Sequence, residues 1–545
     1  PVGALVSRDF VYTSNAWELK RVPATCSHCS SGCQIFYETK PTSISDRSDK
    51  IYRVTNEWNY VSLCGAGRFG YDFENSGATK DEKQFAKATK AFKEAKAIRF
   101  NSTITNEEAA MLQSLKKELG VKLINPEAKA FQSFLKDFEN YRGESLYSGN
   151  YKEMMSESNF IISVGSALRH DNPNVRYIFN NIQKLNKGAG LYFHPVGDTL
   201  IESLGKNVTP IYHTPGLEEY ALYLVLDLFA LKDELPKETK NYLESFHKKA
   251  TKTVQETVME DVTETVVDEE TGESKEVTKK KPKVVEKEVE YVANELASLL
   301  GAPEGFGDLG VALICDLDEK ADGYTIGYNE AGDFRLSALG DGDLDMPALN
   351  QQEGTFTNMH KRVVPTNAAL SYNGYELNDI MSALGLGEQF SIDWTSKLPT
   401  RKGFEALSFD ALPNGFTNAG EELRGYMLKQ KSTKAKAFEV EKPDESYKLE
   451  GEIAYRCNPQ RQFNDFTNRA HQIFEPFALY VSEAKAQTLG KKVKVEIDDV
   501  SLELPVEIDA KMSGDVVKVP DFLSSKEIYP LFNAGRFKQV KISEV

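Results

Sequence analysis

Cys26-Ser-His-Cys29-Ser-Ser-Gly-Cys33 is a C-x2-C-x3-C run, and a fourth cysteine follows alone in Leu63-Cys64-Gly-Ala-Gly67. So short a loop can turn three thiols toward one centre only if its backbone bends tightly. Gly32 before Cys33 and Gly65 after Cys64 permit that. Four thiolates are what a [4Fe–4S] cubane requires, one for each iron. A structural zinc site of four cysteines uses the same ligands. Zinc motifs usually pair one C-x2-C with another, whereas here three cysteines gather and one stands alone. The spacing therefore favours one [4Fe–4S] cluster, with Cys26, Cys29, Cys33 and Cys64 as its metal ligands.

The remaining candidates are weaker. Six cysteines in 545 residues are too few for a disulfide framework, and their clustering points to metal binding in a reducing compartment. Cys315 ends an apolar run, Val311 to Cys315, that reads as a short strand, and Cys457 lies between Arg456 and Asn458; both read as structural. His28 lies inside the loop, where packing or hydrogen bonding is its expected role. The histidines at 170, 194, 213, 247, 360 and 471 form no H-E-x-x-H or triad-like spacing, so no catalytic residue is expected.

Composition narrows the function classes further. A formal net charge of −16 argues against a nucleic-acid partner, which needs a concentrated basic face. No apolar run approaches the 18 or so residues of a membrane span. Pro1-Val-Gly-Ala-Leu-Val-Ser7 has neither a basic n-region nor an apolar h-region, so it does not read as a signal peptide, and an internal start is expected. A chain of 545 residues exceeds one hydrophobic core and implies several domains.

The pattern along the chain suggests three domains: a cluster domain over 1–75, an α/β body over 76–445 and a C-terminal β-barrel over 446–545. In the body, Thr105-Asn-Glu-Glu108 is a capping box, its helix ends at Gly120, and a strand is expected from Val121 to Ile124. A second unit runs from strand Phe160 to Val164, through turn Gly165-Ser166 and a helix opened by Pro173, to strand Leu191 to His194 after Gly188-Ala-Gly190. Alternation of this kind predicts parallel α/β architecture. From Lys232 to Glu290 the chain collapses into Lys, Glu, Thr and Val around Asp268-Glu-Glu-Thr-Gly272. Such bias permits disorder, but the β-branched runs Val262 to Val267 and Val284 to Val289 favour a long, solvated β-hairpin that protrudes from the body. The tail alternates apolar and polar residues over Lys492 to Ile497 and Ser501 to Ile508, with breaks at Gly514 and Pro520, as in a small barrel.

The cysteine run together with Leu63-Cys-Gly-Ala-Gly-Arg-Phe-Gly70 resembles the cluster domain of the molybdopterin oxidoreductase superfamily, and within it the family of G-type subunits of bacterial NADH-quinone oxidoreductases. Pro1-Val-Gly-Ala-Leu5, Trp17-Glu-Leu-Lys20 and Gly67-Arg-Phe-Gly-Tyr-Asp-Phe73 are similar to phrases of that family. Asn350-Gln-Gln-Glu-Gly-Thr-Phe-Thr-Asn358 with Arg362 resembles the superfamily's E-G-T-F-x-N segment. Tyr480-Val-Ser-Glu-Ala484 with Leu489-Gly490, and Leu504-Pro-Val506, resemble its C-terminal barrel. Two positions depart from the pattern. Ala66 stands where catalytic molybdenum members carry the Lys of C-x-K-G-R, and His360-Lys361 replace a Glu-Gly pair.

The resemblance implies an electron-transfer and scaffold subunit of respiratory complex I, without molybdopterin. Its expected partners are the other peripheral-arm subunits, at the cytoplasmic face of the bacterial inner membrane. A ferredoxin-like region with further [2Fe–2S] and [4Fe–4S] clusters would precede Pro1. The competing reading is a molybdopterin-dependent catalytic subunit of the formate dehydrogenase or nitrate reductase type, which shares the cluster motif. A purely structural zinc protein is the third.

Overall fold

A computed structural model describes residues 6–45, 48–56, 63–71, 73, 75, 77–146, 160–164, 167–169, 173–204, 208–217, 250–267, 274–291, 307–386, 423–436, 449–457, 470, 472, 477–520, 522–523, 526–527, 529–532 and 536–545. Turn Gly165-Ser166, the Asp268–Gly272 centre of the insertion, and His170, His247 and His471 lie outside them.

The N-terminal region carries helix α1 (Arg8–Thr13) and a three-stranded antiparallel sheet of β1 (Lys20–Thr25), β2 (Gln34–Pro41) and β3 (Asp49–Thr55), followed by the short helix α2 (Gly65–Phe69). Its core is Val22, Ala24, Ile35, Tyr37, Ile51 and Val54, closed from outside by Ala369 and Leu370. The cysteine loop joins β1 to β2, so two strands fix both of its ends.

The body opens with α3 (Glu82–Glu94), β4 (Ala97–Phe100), α4 (Asn106–Leu119), β5 (Lys122–Ile124) and α5 (Pro126–Arg142). The capping box forms as the sequence predicts: Thr105 Oγ1 accepts from Glu108 N at 3.1 Å and Glu108 Oε2 accepts from Thr105 N at 2.9 Å. Gly120, at φ +69°, ends α4 in the left-handed conformation that a side chain resists. Leu112 and Leu115 on its inner face are fully buried, each contributing about 1.5–3 kcal/mol of apolar transfer.

A second parallel unit follows: β6 (Phe160–Val164), α6 (Pro173–Lys184), β7 (Ala189–Phe193), β8 (Gly197–Asp198), α7 (Thr199–Glu202) and β9 (Val208–Ile211), with β6, β7 and β9 pairing in that order. Next come two strands of 18 residues each, β10 (Ala250–Val267) and β11 (Ser274–Tyr291), antiparallel to one another and in no other sheet. The charged insertion is thus the expected hairpin. Cross-strand pairs Lys283–Glu260 and Lys281–Glu264 decorate it, and Met259 and Val284 are 59% and 58% exposed, as befits a ribbon without a core.

The sequence expectation of a strand at Val311–Cys315 is corrected: the segment is helix α8 (Asp308–Ile314), with Cys315 as its C-cap. Leu309, Val311, Ala312 and Ile314 are all buried. A short helix buried on every side has the same unbroken apolar run as a buried strand, so periodicity cannot separate them. Strands β12 (Thr325–Tyr328), β13 (Phe334–Ser337) and β14 (Leu344–Asp345) then complete a parallel sheet ordered β14-β13-β12-β4-β5. After it lie the antiparallel β15 (Gly354–Thr357) and β16 (Arg362–Thr366), helix α9 (Leu377–Ala383), and β17 (Tyr426–Met427), paired with β16.

The C-terminal region contains β18 (Ile453–Cys457), β19 (Leu479–Val481), α10 (Glu483–Ala486), β20 (Lys492–Ile497), β21 (Val500–Ile508), β22 (Met512–Ser513), β23 (Val517–Pro520), a short β24 (Phe522–Leu523) to β25 (Lys526–Glu527) hairpin, β26 (Phe537–Gln539) and β27 (Lys541–Glu544). Seven strands order as β26-β18-β23-β19-β21-β20-β27. The two edge strands are separated in the chain by Val540 alone, so the sheet curls until its edges meet, a nearly closed barrel. Pro520 is the last residue of β23 rather than a break outside it, and Gly514 turns the chain at φ +92°. No helix among the described residues is long and apolar enough to cross a membrane.

The barrel grips the body through a buried network. Arg169 donates from Nε to Asp198 at 2.8 Å and from Nη2 to Asp509 at 2.7 Å, and Lys518 also pairs with Asp509. The four side chains are 4–9% exposed and their charges cancel. Strand β22 pairs with β8, and Thr199 N donates to Lys511 O at 2.9 Å.

Two consequences are measurable. Asp509→Ala removes a carboxylate shared by two buried cations, leaving Asp198 as the acid on Arg169, and should cost about 3–5 kcal/mol in chemical denaturation, whereas Asp498→Ala, breaking the exposed Lys538 pair, should cost under about 1 kcal/mol. Equal losses would show that the network carries no special weight. Because Ala250 and Tyr291 face each other across the ladder, residues 251–290 can be replaced by a short Gly-Ser turn. The thermal midpoint and iron content of the remainder should then be unchanged, and a loss of either would make the hairpin part of the core structure.

Candidate metal centre

The antiparallel ladder of β1 and β2 ends at Thr25 opposite Gln34, and Cys26 N donating to Cys33 O at 2.8 Å extends it one step into the loop. Cys26 and Cys33 therefore face each other at the neck. Cys29 lies at the crown, its carbonyl accepting from Gly32 N at 3.3 Å. Gly32 adopts φ +50°, and a Cβ there would stand 2.8 Å from Asn358 Cβ, so only glycine satisfies both the turn and the contact. Cys64 is the N-cap of α2, with Gly67 N donating to its Sγ at 3.5 Å.

One glycine marks where the two segments converge. A Cβ on Gly67 would lie 3.3 Å from Cys26 Sγ and 3.9 Å from Cys64 Sγ, so this space is left open between sulfurs that are 38 positions apart in sequence. All four predicted site residues are brought together, and none is in a disulfide. Cys26, Cys29 and Cys33 are buried and Cys64 is half-buried. Cys315 and Cys457 are elsewhere: Cys315 Sγ donates to Ala109 O at 3.4 Å, and Cys457 is buried in β18.

Electrostatics makes this a costly place for bare thiolates. Burial, then the neighbouring sulfurs Cys33, Cys64 and Cys29, push the Cys26 thiol far up. Burial and Cys29 push the Cys64 thiol up to about 11, and Cys33 rises for the same reasons. A cationic metal core is the natural remedy, since it binds thiolates and releases their protons. Among the described residues, no group of three or more His, Cys, Asp or Glu side chains is placed to hold a metal ion. Four Zn–S bonds of about 2.3 Å would draw the sulfurs to within about 4 Å of each other. A cubane seats each thiolate on a different iron.

The residues around the loop come from distant parts of the chain, and sequence reasoning missed most of them. Arg424, fully buried, donates from Nη1 to Gly32 O at 3.0 Å and from Nη2 to Thr25 Oγ1 at 2.7 Å, and its charge draws the Cys33 thiol back down. Met359 N donates to Ser30 O at 2.9 Å, and Thr25 Oγ1 donates to Pro365 O at 2.8 Å, so the segment from Gly354 to Thr366 is the bed on which the loop rests. Asn174 Nδ2 donates to Cys33 Sγ at 3.1 Å. No local pattern announces Arg424 or Asn174. His28 hydrogen-bonds the Gly70 backbone, and desolvation lowers its pKa to about 4, which keeps it neutral, as its expected packing role requires.

The two departures also find their places. Ala66 is fully buried against Ala470, beside Cys64 and Phe69. Lys361 adopts φ +59°, the conformation a glycine would take without strain, and is buried beside His360. His360 is held neutral: burial, then the charges of Lys361, Arg362 and Arg424, lower its pKa to about 3.

Residues 19–76 match the family described as Molybdopterin oxidoreductase Fe4S4 domain, a span that contains all four cysteines. Over 79 residues the chain is 35% identical to the alpha subunit of the NADPH-Fe(3+) oxidoreductase of Geobacter sulfurreducens, covering 14% of this chain and 8% of that protein. Over 80 residues it is 36% identical to a G-type NADH-quinone oxidoreductase subunit of Rhizobium meliloti, covering 14% and 9%. Over 84 residues it is 32% identical to NADH-quinone oxidoreductase subunit 3 of Thermus thermophilus, covering 15% and 10%. The matched stretch is thus a tenth or less of each curated relative's length. Among solved structures, acetylene hydratase from Pelobacter acetylenicus aligns at a TM-score of 0.48 and 10% identity, covering 93% of this chain and 94% of that one.

The bed contact gives a direct test of the loop's geometry. Gly32→Ala places a Cβ against Asn358 at a left-handed φ, a strain of order 1–3 kcal/mol. Its thermal midpoint should fall and its iron content drop, while Gly385→Ala, also at positive φ but with open space around the Cβ, should keep its iron. Full iron in Gly32→Ala would show that the loop does not need this bed.

Proposed function

We propose that Cys26, Cys29, Cys33 and Cys64 hold one [4Fe–4S] cluster, and that the chain is an electron-transfer and scaffold subunit of an NADH-quinone oxidoreductase. The observation that carries the reading is the convergence of four disulfide-free thiols, three buried and one half-buried, within the stretch that matches an Fe4S4 domain. When bound, such a cluster carries one electron at a time between its 2+ and 1+ states. The chain's own contribution is to fix the four sulfurs, exclude water from three of them and surround them with N–H donors. The names of the matched relatives, an NADPH-Fe(3+) oxidoreductase and NADH-quinone oxidoreductases, support a nicotinamide nucleotide as the ultimate donor and quinone as the acceptor. Partner subunits of a peripheral arm, on the cytoplasmic face of a bacterial membrane, would then supply and receive the electrons.

The body supports a scaffold rather than a substrate site. Ligands of open α/β sheets bind outside the carboxyl ends of the strands. At the end of β4, Thr355 of β15 occupies that position, with N and Oγ1 donating to Glu107 at 2.8 and 2.7 Å. Beyond β7, β22 pairs directly with β8, and a Cβ on Gly197 would collide with Ser513 Oγ at 1.9 Å. Among the described residues, segments of the chain itself meet the strand ends at both places, and Ala66 replaces the lysine that the resemblance associates with pterin.

The test uses the protein anaerobically purified with its cluster. Iron and acid-labile sulfide should be found in cubane proportion without stoichiometric molybdenum or tungsten, and Cys29→Ala/Cys64→Ala together should abolish the paramagnetic signal of the reduced cluster. The body, with its own core, should stay folded in that variant. A full, unaltered signal would overturn the ligand assignment. Stoichiometric molybdenum would favour a molybdopterin-dependent enzyme instead, and zinc in place of iron would exclude both.

A further inference from the structure

Helix α6 belongs to the second parallel sheet, yet its first turn reaches the cysteine loop. Pro173 starts the helix and Asn174, the next residue, is 4% exposed with its Nδ2 3.1 Å from Cys33 Sγ. The other end of the same amide is anomalous. Asn174 Oδ1 is buried and has no hydrogen-bond partner among the described residues. A buried amide with one end unsatisfied costs stability, and an apolar side chain of similar shape would pack there without that cost. The amide is thus buried with one end unmatched, and the atom it does engage is a cysteine sulfur.

We propose that Asn174 is a positioning residue that sets the reduction potential of the cluster, by donating its Nδ2–H to Cys33 Sγ. The inference rests on the cluster reading above. Adding an electron makes the thiolate sulfurs more negative, and an N–H donor stabilises the more negative sulfur more strongly, so the bond favours the reduced state and raises the potential. Its placement suits that role. Ser31, which bonds Cys29, belongs to the loop itself, whereas Asn174 comes from 141 positions away and is held by a helix packed through Val175, Ile178 and Phe179. Such a donor keeps its position when the loop relaxes around either oxidation state. It also makes the potential sensitive to the seating of the second sheet against the cluster domain.

The experiment is an electron-paramagnetic-resonance redox titration of the cluster-loaded protein and of Asn174→Leu, which keeps the volume and removes the donor. At a fixed ambient potential the ratio of reduced to oxidised cluster should fall about tenfold in Asn174→Leu, a 59 mV lowering for one electron. Asn174→Asp, which faces the sulfur with a carboxylate, should lower it at least as far. A potential unchanged in Asn174→Leu at full cluster content would overturn the proposal and leave Asn174 as packing. A second measurement needs no variant: pulsed spectroscopy on reduced wild-type protein carrying nitrogen-15 only in asparagine side chains should show a nitrogen coupling to the cluster. Its absence would overturn the assignment even if the variants fail to retain iron. A wild-type protein without any cluster would instead defeat the ligand reading itself.

Discussion

Four sulfurs buried within one small volume create a charge problem that the rest of the molecule is arranged to contain. Each thiol is pushed toward its neutral form by desolvation, and Cys26, Cys33 and Cys64 are pushed further by their sulfur neighbours. A metal core would offset that repulsion, and so, partly, do the donors around it: Gly67 N, the Asn174 amide and the guanidinium of Arg424 behind Gly32. These three come from α2, α6 and the strand region at β17. The site is consequently assembled by tertiary contact, and the N-terminal region alone, through α2, would supply only one of them.

That dependence explains why so large a body stands behind so short a motif. The loop lies on the segment from Gly354 to Thr366, and Arg362 Nε donates to Arg424 O at 3.0 Å, tying the bed to the buried cation. The same segment reaches the other way, through Thr355 and Thr357 to Asn106 and Glu107 at the start of α4. One strand pair thus joins the cysteine loop to the capping turn of a helix in the central sheet. Across the molecule, the neutral cluster of Arg169, Asp198, Asp509 and Lys518 joins the second sheet to the barrel. Buried ion networks of this kind add little net stability over apolar packing, but they tolerate no missing member and so fix one seating of the domains.

The local devices were legible wherever a short-range rule governs them. The Thr105–Glu108 capping box, Gly120 as a helix stop, Pro173 as a helix start and the long antiparallel pair β10 and β11 all follow from backbone chemistry within a few residues. The segment at Val311 escaped the same reasoning because burial on all sides erases periodicity, leaving helix and strand alike in sequence.

The candidate site divides along the same line. Cys26, Cys29, Cys33 and Cys64 stand out in the sequence as one candidate set, because a metal centre would need such side chains, three of them on one loop. The sequence by itself determined this candidate set of cysteines, the turn glycine at 32, and the alternation that makes the body α/β. Only the tertiary structure decided which groups face the sulfurs. Arg424 lies 391 positions from Cys33 and Asn174 lies 141 away, and neither stands in a motif. A buried arginine and a buried asparagine are ordinary letters in a sequence. They acquire their places beside the loop through the packing of separate helices and strands, which sets the Asn174 amide 3.1 Å from a sulfur that no local rule connects to it.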